Sequence, residues 1–145
     1  MTHFKTVLLL LTAFLATACG DNEAPPAEDH EPRSYRILVN DVLVNEPYTF
    51  TSGQTVRVRL QFFNAAEEDL DEVEDSHFGG LSFEPGSRAT VVRVADHNYQ
   101  FDVTGASAGT ATLQVSYGHD AAADEQTFPE AAVTVNPDED PALSQ

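Results

Sequence analysis

The sequence predicts an all-β protein folded as a single antiparallel β-sandwich of about seven to eight strands over roughly one hundred residues. Apolar and polar residues alternate with a period of two in several short segments, which is typical of strands with one buried face. Turn-forming residues separate these segments, as at Asn40-Asp41, Ser52-Gly53 and Pro85-Gly86. No segment carries a long amphipathic helical pattern.

The alternation defines strands in chain order. The clearest is at residues 56–62, where Val56, Val58 and Leu60 alternate with arginine and glutamine. The predicted strands are residues 35–39, 56–62, 89–94, 99–103, 111–117 and 131–135. Gly79 and Gly80 are expected in a turn. Within residues 64–88 an acidic insertion leaves the middle strands unassigned.

The amino terminus has the layout of a secretory signal peptide. Lys5 precedes an apolar run at residues 7–18, which ends in small residues directly before Cys19, the only cysteine. The run is too short to cross a bilayer as a permanent helix. We therefore expect residues 1–18 to direct export.

Residues 15–19, LATAC, resemble the lipobox of bacterial lipoproteins. The resemblance implies cleavage before Cys19, acylation of its thiol, and a membrane anchor outside the cytoplasm. Gly20 replaces the aspartate that retains such proteins at the inner membrane, which favours the outer membrane where the organism has one. One departure is Ala16, where the family usually has a large aliphatic residue. The alternative is ordinary signal peptidase, which would release a soluble protein with a free thiol.

Composition divides the remaining chain. Residues 19–32 are rich in proline and acidic side chains, which predicts a disordered tether after the lipidated cysteine. Residues 33–136 form the predicted domain, and residues 137–145 a disordered acidic tail. The formal charge of the chain is −17, which disfavours nucleic acid as a partner because that binding depends on basic groups.

Residues 99–117, YQFDVTGASAGTATLQVSY, resemble the end of a bacterial immunoglobulin-like domain of the intimin and adhesin type. The family phrase F-x-V-T-G-x-x-x-G-T-A-T-L-x-V corresponds to Phe101 through Val115, with Gly105 and Gly109 at the intervening turn. The resemblance implies an immunoglobulin-like sandwich that serves as an adhesive or spacer module. A protein or a glycan would then be the partner.

Two loops contain candidate metal ligands. Residues 67–77 are crowded with carboxylates but lack the calcium-loop spacing, so we interpret them as a solvated acidic loop. His77 ends that loop, while His119 and Asp120 follow a later strand. If the two loops share one end of the sandwich, these three side chains are candidates for a zinc or copper site. His97 lies in a separate turn.

Three functions remain open at this point. The sequence favours a non-enzymatic, membrane-anchored binding or scaffold domain with no cofactor. The alternative is a metal-binding lipoprotein that uses the loop histidines and carboxylates. A small hydrolase is the third, because Ser82 or Ser116 with His119 and Asp120 supplies the residue types of a catalytic triad, although no G-x-S-x-G motif is present.

Overall fold

The computed structural model describes residues 31–70 and 76–138. This part of the chain contains ten strands arranged in two sheets, and the predicted all-β sandwich is confirmed. The strands are β1 (Ser34–Val39), β2 (Val42–Val44), β3 (Tyr48–Thr51), β4 (Thr55–Phe63), β5 (Phe78–Glu84), β6 (Ala89–Arg93), β7 (Gln100–Gly105), β8 (Gly109–Gly118), β9 (Gln126–Thr127) and β10 (Ala131–Asn136). The strand count exceeds the predicted seven to eight, because β2 and β9, of three and two residues, are too short to show an alternating pattern.

Each sheet is built around one long strand. The first sheet has the order β2-β1-β4-β7-β6 and is antiparallel throughout. The second has the order β3-β10-β8-β5, with β9 also paired to β8. Its one parallel pair joins β3 to β10, where Tyr48 faces Val133 in the register. β4 and β8 thus run through the middle of the two sheets.

The core lies between β4 and β8 and follows the period-two pattern. On β4, Val58, Leu60 and Phe62 are buried, and on β8 Leu113 and Val115 are buried to the same degree. The intervening polar residues are more exposed. Burying each large apolar side chain contributes about 1.5–3 kcal/mol to the free energy of folding. Burial of the apolar face of each strand therefore stabilises the packing of the two sheets.

The prediction of a turn at Gly79 and Gly80 is wrong, because both lie inside β5. A Cβ on Gly79 would lie 3.0 Å from Leu60 Cδ1, and one on Gly80 would lie 2.1 Å from Ser116 Oγ. These glycines therefore permit close packing within a strand, which is the other common reason for glycine in a sheet.

Pro32 is the first buried residue of the described part of the chain. Pro32 is fully buried, and its carbonyl oxygen accepts a hydrogen bond from Gln126 Nε2 at 2.8 Å. The next residue, Arg33, donates its backbone N–H to Phe63 O at 2.7 Å. Cys19, the predicted signal peptide and residues 139–145 lie outside the described residues. Within the described ranges, no helix has the length and apolar character of a membrane span.

Candidate functional site

The two loop histidines meet because of the register between β5 and β8. In this antiparallel pair Phe78 lies opposite Gly118. His77 immediately precedes β5 and His119 immediately follows β8, so the two residues continue the same register by one step. Opposite residues of an antiparallel pair bring their side chains within contact distance. The Nε2 atoms of His77 and His119 lie 2.9 Å apart.

Each imidazole is held by a different neighbour. His77 is buried and stacks on the ring of Tyr117, with 5.2 Å between ring centroids and 18° between planes. His119 is exposed at the surface, and its Nδ1 hydrogen bonds to the carboxylate of Glu125. The rings of the two histidines are inclined by 51°, with centroids 4.2 Å apart. The pair therefore joins a fixed interior ring to a surface ring.

A tight turn brings Glu125 back to His119. Asp120 Oδ1 accepts a hydrogen bond from Ala122 N at 2.8 Å, and Ala123 N donates to Asp120 O at 3.0 Å. Ala123 is completely buried against β8, where a Cβ on Gly118 would lie 3.0 Å from Ala123 Cα. The small residues between His119 and Glu125 let the chain fold back this closely.

Arg93 fixes this turn to the rest of the sandwich. Its Nη2 donates to Gly79 O at 2.7 Å and to Ala121 O at 3.2 Å, and its Nη1 donates to Asn98 O. Partial burial lowers the pKa of the Arg93 guanidinium, which nonetheless stays charged at neutral pH. Arg93, the last residue of β6, thus connects three segments: β5, the turn between β6 and β7 that contains Asn98, and the 119–125 turn.

The histidine pair lies in the wall of an open cleft of about 390 Å³. Tyr117, Glu125 and Gln126 form part of the lining, together with Glu31 and Pro32 at the start of the described part of the chain. Glu31 accepts a hydrogen bond from Arg33 Nη2 at 2.8 Å. The cleft is therefore partly apolar, carries two carboxylates near two imidazoles, and is open to solvent on one side.

Of the three candidate ligands, the structure brings two together. His77 and His119 are in contact, whereas the Asp120 carboxylate closes its own turn. Sequence reasoning missed Glu125, which is the carboxylate that contacts His119. The available signal was a carboxylate six residues after a histidine, with three alanines between them. Among residues 31–70 and 76–138, no group of three or more histidine, cysteine or acidic side chains is arranged around a common point.

The acidic loop begins with an ordered turn organised by Asn64. The Oδ1 atom of this buried asparagine accepts hydrogen bonds from the backbone N–H groups of Ala66 and Glu68, both at 2.9 Å. Its Nδ2 donates to Glu68 Oε2 at 2.8 Å. Glu67, Glu68 and Asp69 are exposed, and residues 71–75 lie outside the described part. The described carboxylates of this loop thus face solvent.

The serines considered for a catalytic triad lie on the wrong face of the sheet. Ser82 lies between buried Leu81 and Phe83, so its side chain points outward. Ser116 is likewise flanked by buried Val115 and Tyr117. His119 contacts the inward-facing His77, so neither serine is on its side of the sheet. The structure does not assemble this triad.

The contact between His119 and Glu125 predicts a pH-dependent contribution to stability. The hydrogen bond from His119 lowers the pKa of Glu125 below its ordinary value of 4.5. A lowered folded-state pKa stabilises the protein above the unfolded-state value, and this contribution is lost as the pH falls through the folded-state value. Glu125→Gln should therefore lower the melting temperature slightly at neutral pH and make no difference in strong acid. Thermal melts of both proteins across this range test it, and an equal difference at every pH would contradict it.

No protein-family model matches the chain. No curated protein matches it either. Among solved structures, the chain is similar to domains 4 and 5 of the S-layer protein SbsC, with 15% sequence identity and a TM-score of 0.45. The match covers 69% of this chain and 50% of the other, so this chain spans about half the length of the solved chain that it matches.

Proposed function

We propose that the protein is an extracytoplasmic lipoprotein that displays a non-enzymatic β-sandwich for binding to a protein or a glycan. The observation that carries this proposal is Cys19, the only cysteine, which directly follows an apolar run ending in small residues. An exported protein with one unpaired cysteine is unusual unless the thiol has a use, and acylation supplies that use. Two or three acyl chains give a stable anchor, whereas one chain gives only marginal binding.

The position of the first described residues supports a tethered body. Pro32 is packed into the sandwich, and eleven residues, 20–30, lie between Cys19 and Glu31 in the sequence. A chain of this length spans at most about 40 Å when fully extended. The described body begins beside the cleft that Glu31 and Pro32 line, so the proposed anchor would be attached at that side. The remaining loops of the sandwich are available for a partner, which is where binding residues concentrate on such scaffolds.

The charge supports contact with proteins or glycans over contact with nucleic acid. The chain carries 24 acidic residues against 7 basic ones, which gives the formal charge of −17. Such a surface repels phosphate backbones and keeps neighbouring copies apart at a membrane. By resemblance to bacterial lipoproteins, Gly20 after the cysteine favours the outer membrane as the site of the anchor in a host that has one.

Metabolic labelling with an alkyne fatty acid in the native host tests the anchor. The natural protein should take up the label, and Cys19→Ser should lose it completely because the acylated thiol is gone. Ala16→Leu is the matched control: it places a large aliphatic residue where the lipobox family has one, so labelling should be retained or increased. An unlabelled natural protein, recovered cut and soluble, would overturn the proposal and establish ordinary signal peptidase cleavage instead.

A further inference from the structure

We propose that His77 and His119 form a two-imidazole site for a divalent transition-metal ion, such as zinc, copper or nickel, with Glu125 as the positioning residue for the His119 ring. The inference rests on the described body and is independent of the lipid anchor. It differs from the sequence expectation in one residue, since Glu125 replaces Asp120 beside the histidines.

The distance between the two nitrogens fits a shared ion. Two imidazole nitrogens, each about 2.0–2.1 Å from one ion, lie roughly 2.9 Å apart at a right angle and roughly 3.3 Å apart at the tetrahedral angle. The observed separation of His77 Nε2 and His119 Nε2 is 2.9 Å. The nitrogens are thus already at the separation of a right-angled pair, and at the tetrahedral angle they would move apart by a few tenths of an ångström while the rings turn towards the ion. The exposed His119 ring can supply that movement while His77 stays stacked on Tyr117.

The carboxylate on the far side of His119 matches the surroundings of metal-binding histidines. Such histidines usually donate their second ring N–H to a carboxylate, a carbonyl or water, which fixes the tautomer and increases ligand basicity. Glu125 contacts Nδ1 of His119, so the Nδ1–H is donated to the carboxylate and the Nε2 lone pair is left for an ion. His77 Nε2 has a lone pair for the ion when the ring proton of His77 is on Nδ1.

Access and charge also favour a cation at this position. Both histidines line the open cleft, and the side chain of His119 is 61% exposed, so an ion reaches the pair from solvent. The carboxylates of Glu31 and Glu125 line the same cleft. Since the described residues place no third ligand around the pair, the ion keeps water or a partner's side chain in its other positions. Imidazole ligands select zinc, copper and nickel over calcium and magnesium.

Isothermal titration of the full chain with Zn²⁺, Ni²⁺ and Ca²⁺, each alone, tests the site. Zn²⁺ and Ni²⁺ should bind with a stoichiometry of one, and Ca²⁺ should not displace them. His119→Ala should weaken Zn²⁺ binding at least about tenfold, and Glu125→Ala should weaken it by about 10–100-fold. His97→Ala and Asp120→Asn are the matched controls and should leave the affinity unchanged. His119 is exposed, so its variant should fold, which a thermal melt without metal verifies.

Histidine NMR with Zn²⁺ provides a second readout that does not depend on affinity. The Nε2 resonances of His77 and His119 should both shift on addition of one equivalent, while those of His97 stay in place. Three results would overturn the site: no saturable Zn²⁺ binding by the natural chain, unchanged affinity in His119→Ala, or the largest Nε2 shift on a histidine outside the pair. Failure of the fatty-acid labelling would leave this result unaffected, so the two proposals are separable.

Discussion

Replacing Phe62 with alanine is expected to lower the free energy of unfolding by about 3–5 kcal/mol. Phe62 is completely buried on β4, and its ring contacts three aromatic rings. The centroids of Tyr117 and Phe128 lie 5.0 Å and 5.7 Å away, and that of Tyr99 lies 5.5 Å away. Tyr117 belongs to β8, so this one side chain joins the two sheets. Truncation removes the contacts and leaves a cavity that rigid strands close poorly.

Urea denaturation measures this effect. The midpoint should fall while the slope stays the same, because the surface exposed on unfolding is nearly unchanged. Val92→Ala is the control: Val92 is 58% exposed on the edge strand β6, so its loss should cost less than about 1 kcal/mol. A similar cost at both positions would show that the core is not organised around Phe62.

Gly105→Ala is expected to destabilise the fold by about 2–3 kcal/mol through backbone overlap. A Cβ at this position would lie 2.3 Å from Thr51 O and 2.8 Å from Thr51 C. The surrounding backbone is fixed, because Gly105 N donates to Gln54 O at 3.1 Å and Gly53 N donates to Gly105 O at 2.8 Å. Residues 52–54 connect β3 of one sheet to β4 of the other, and they are the segment that bonds to Gly105 at the end of β7. This segment and β7 cannot move apart without breaking these hydrogen bonds.

Gly86→Ala provides the comparison for Gly105→Ala. A Cβ on Gly86 would lie 3.6 Å from Phe83 O, an ordinary contact, so the free energy of unfolding should change by less than about 1 kcal/mol. Parallel urea titrations of the two variants distinguish a loss caused by backbone overlap from a general effect of replacing glycine. Equal stability of the two would contradict the close approach of Thr51 to Gly105.

Local patterns predicted the strands that carry most of the core. Alternation in β4 and β8 is strong because each strand buries one face. Leu60 and Leu113 can therefore be predicted as buried from the neighbouring residues in the sequence alone. β3 was not predicted: it is short and pairs in parallel with β10, a contact distant in sequence. β5 was missed because Gly79 and Gly80 suggested a turn, and only the packing of Leu60 and Ser116 against them explains their place in a strand.

The candidate site was predictable in its residue types and not in its geometry. His77 and His119 are separated by 42 residues, and only the register of Phe78 with Gly118 brings them into contact. That register depends on the whole second sheet, which no local pattern specifies. Asp120 was predicted as a ligand because it follows His119 in the sequence, but its carboxylate accepts a hydrogen bond from Ala122 N within the 119–125 turn. The turn that results delivers Glu125 to His119.

Intact mass spectrometry of protein from the native host tests the proposed lipid anchor on Cys19. The predicted result is a chain that starts at Cys19 and carries the added mass of two or three acyl groups. A mass equal to the uncut sequence, or to a cut chain with an unmodified thiol, would contradict the proposed anchor.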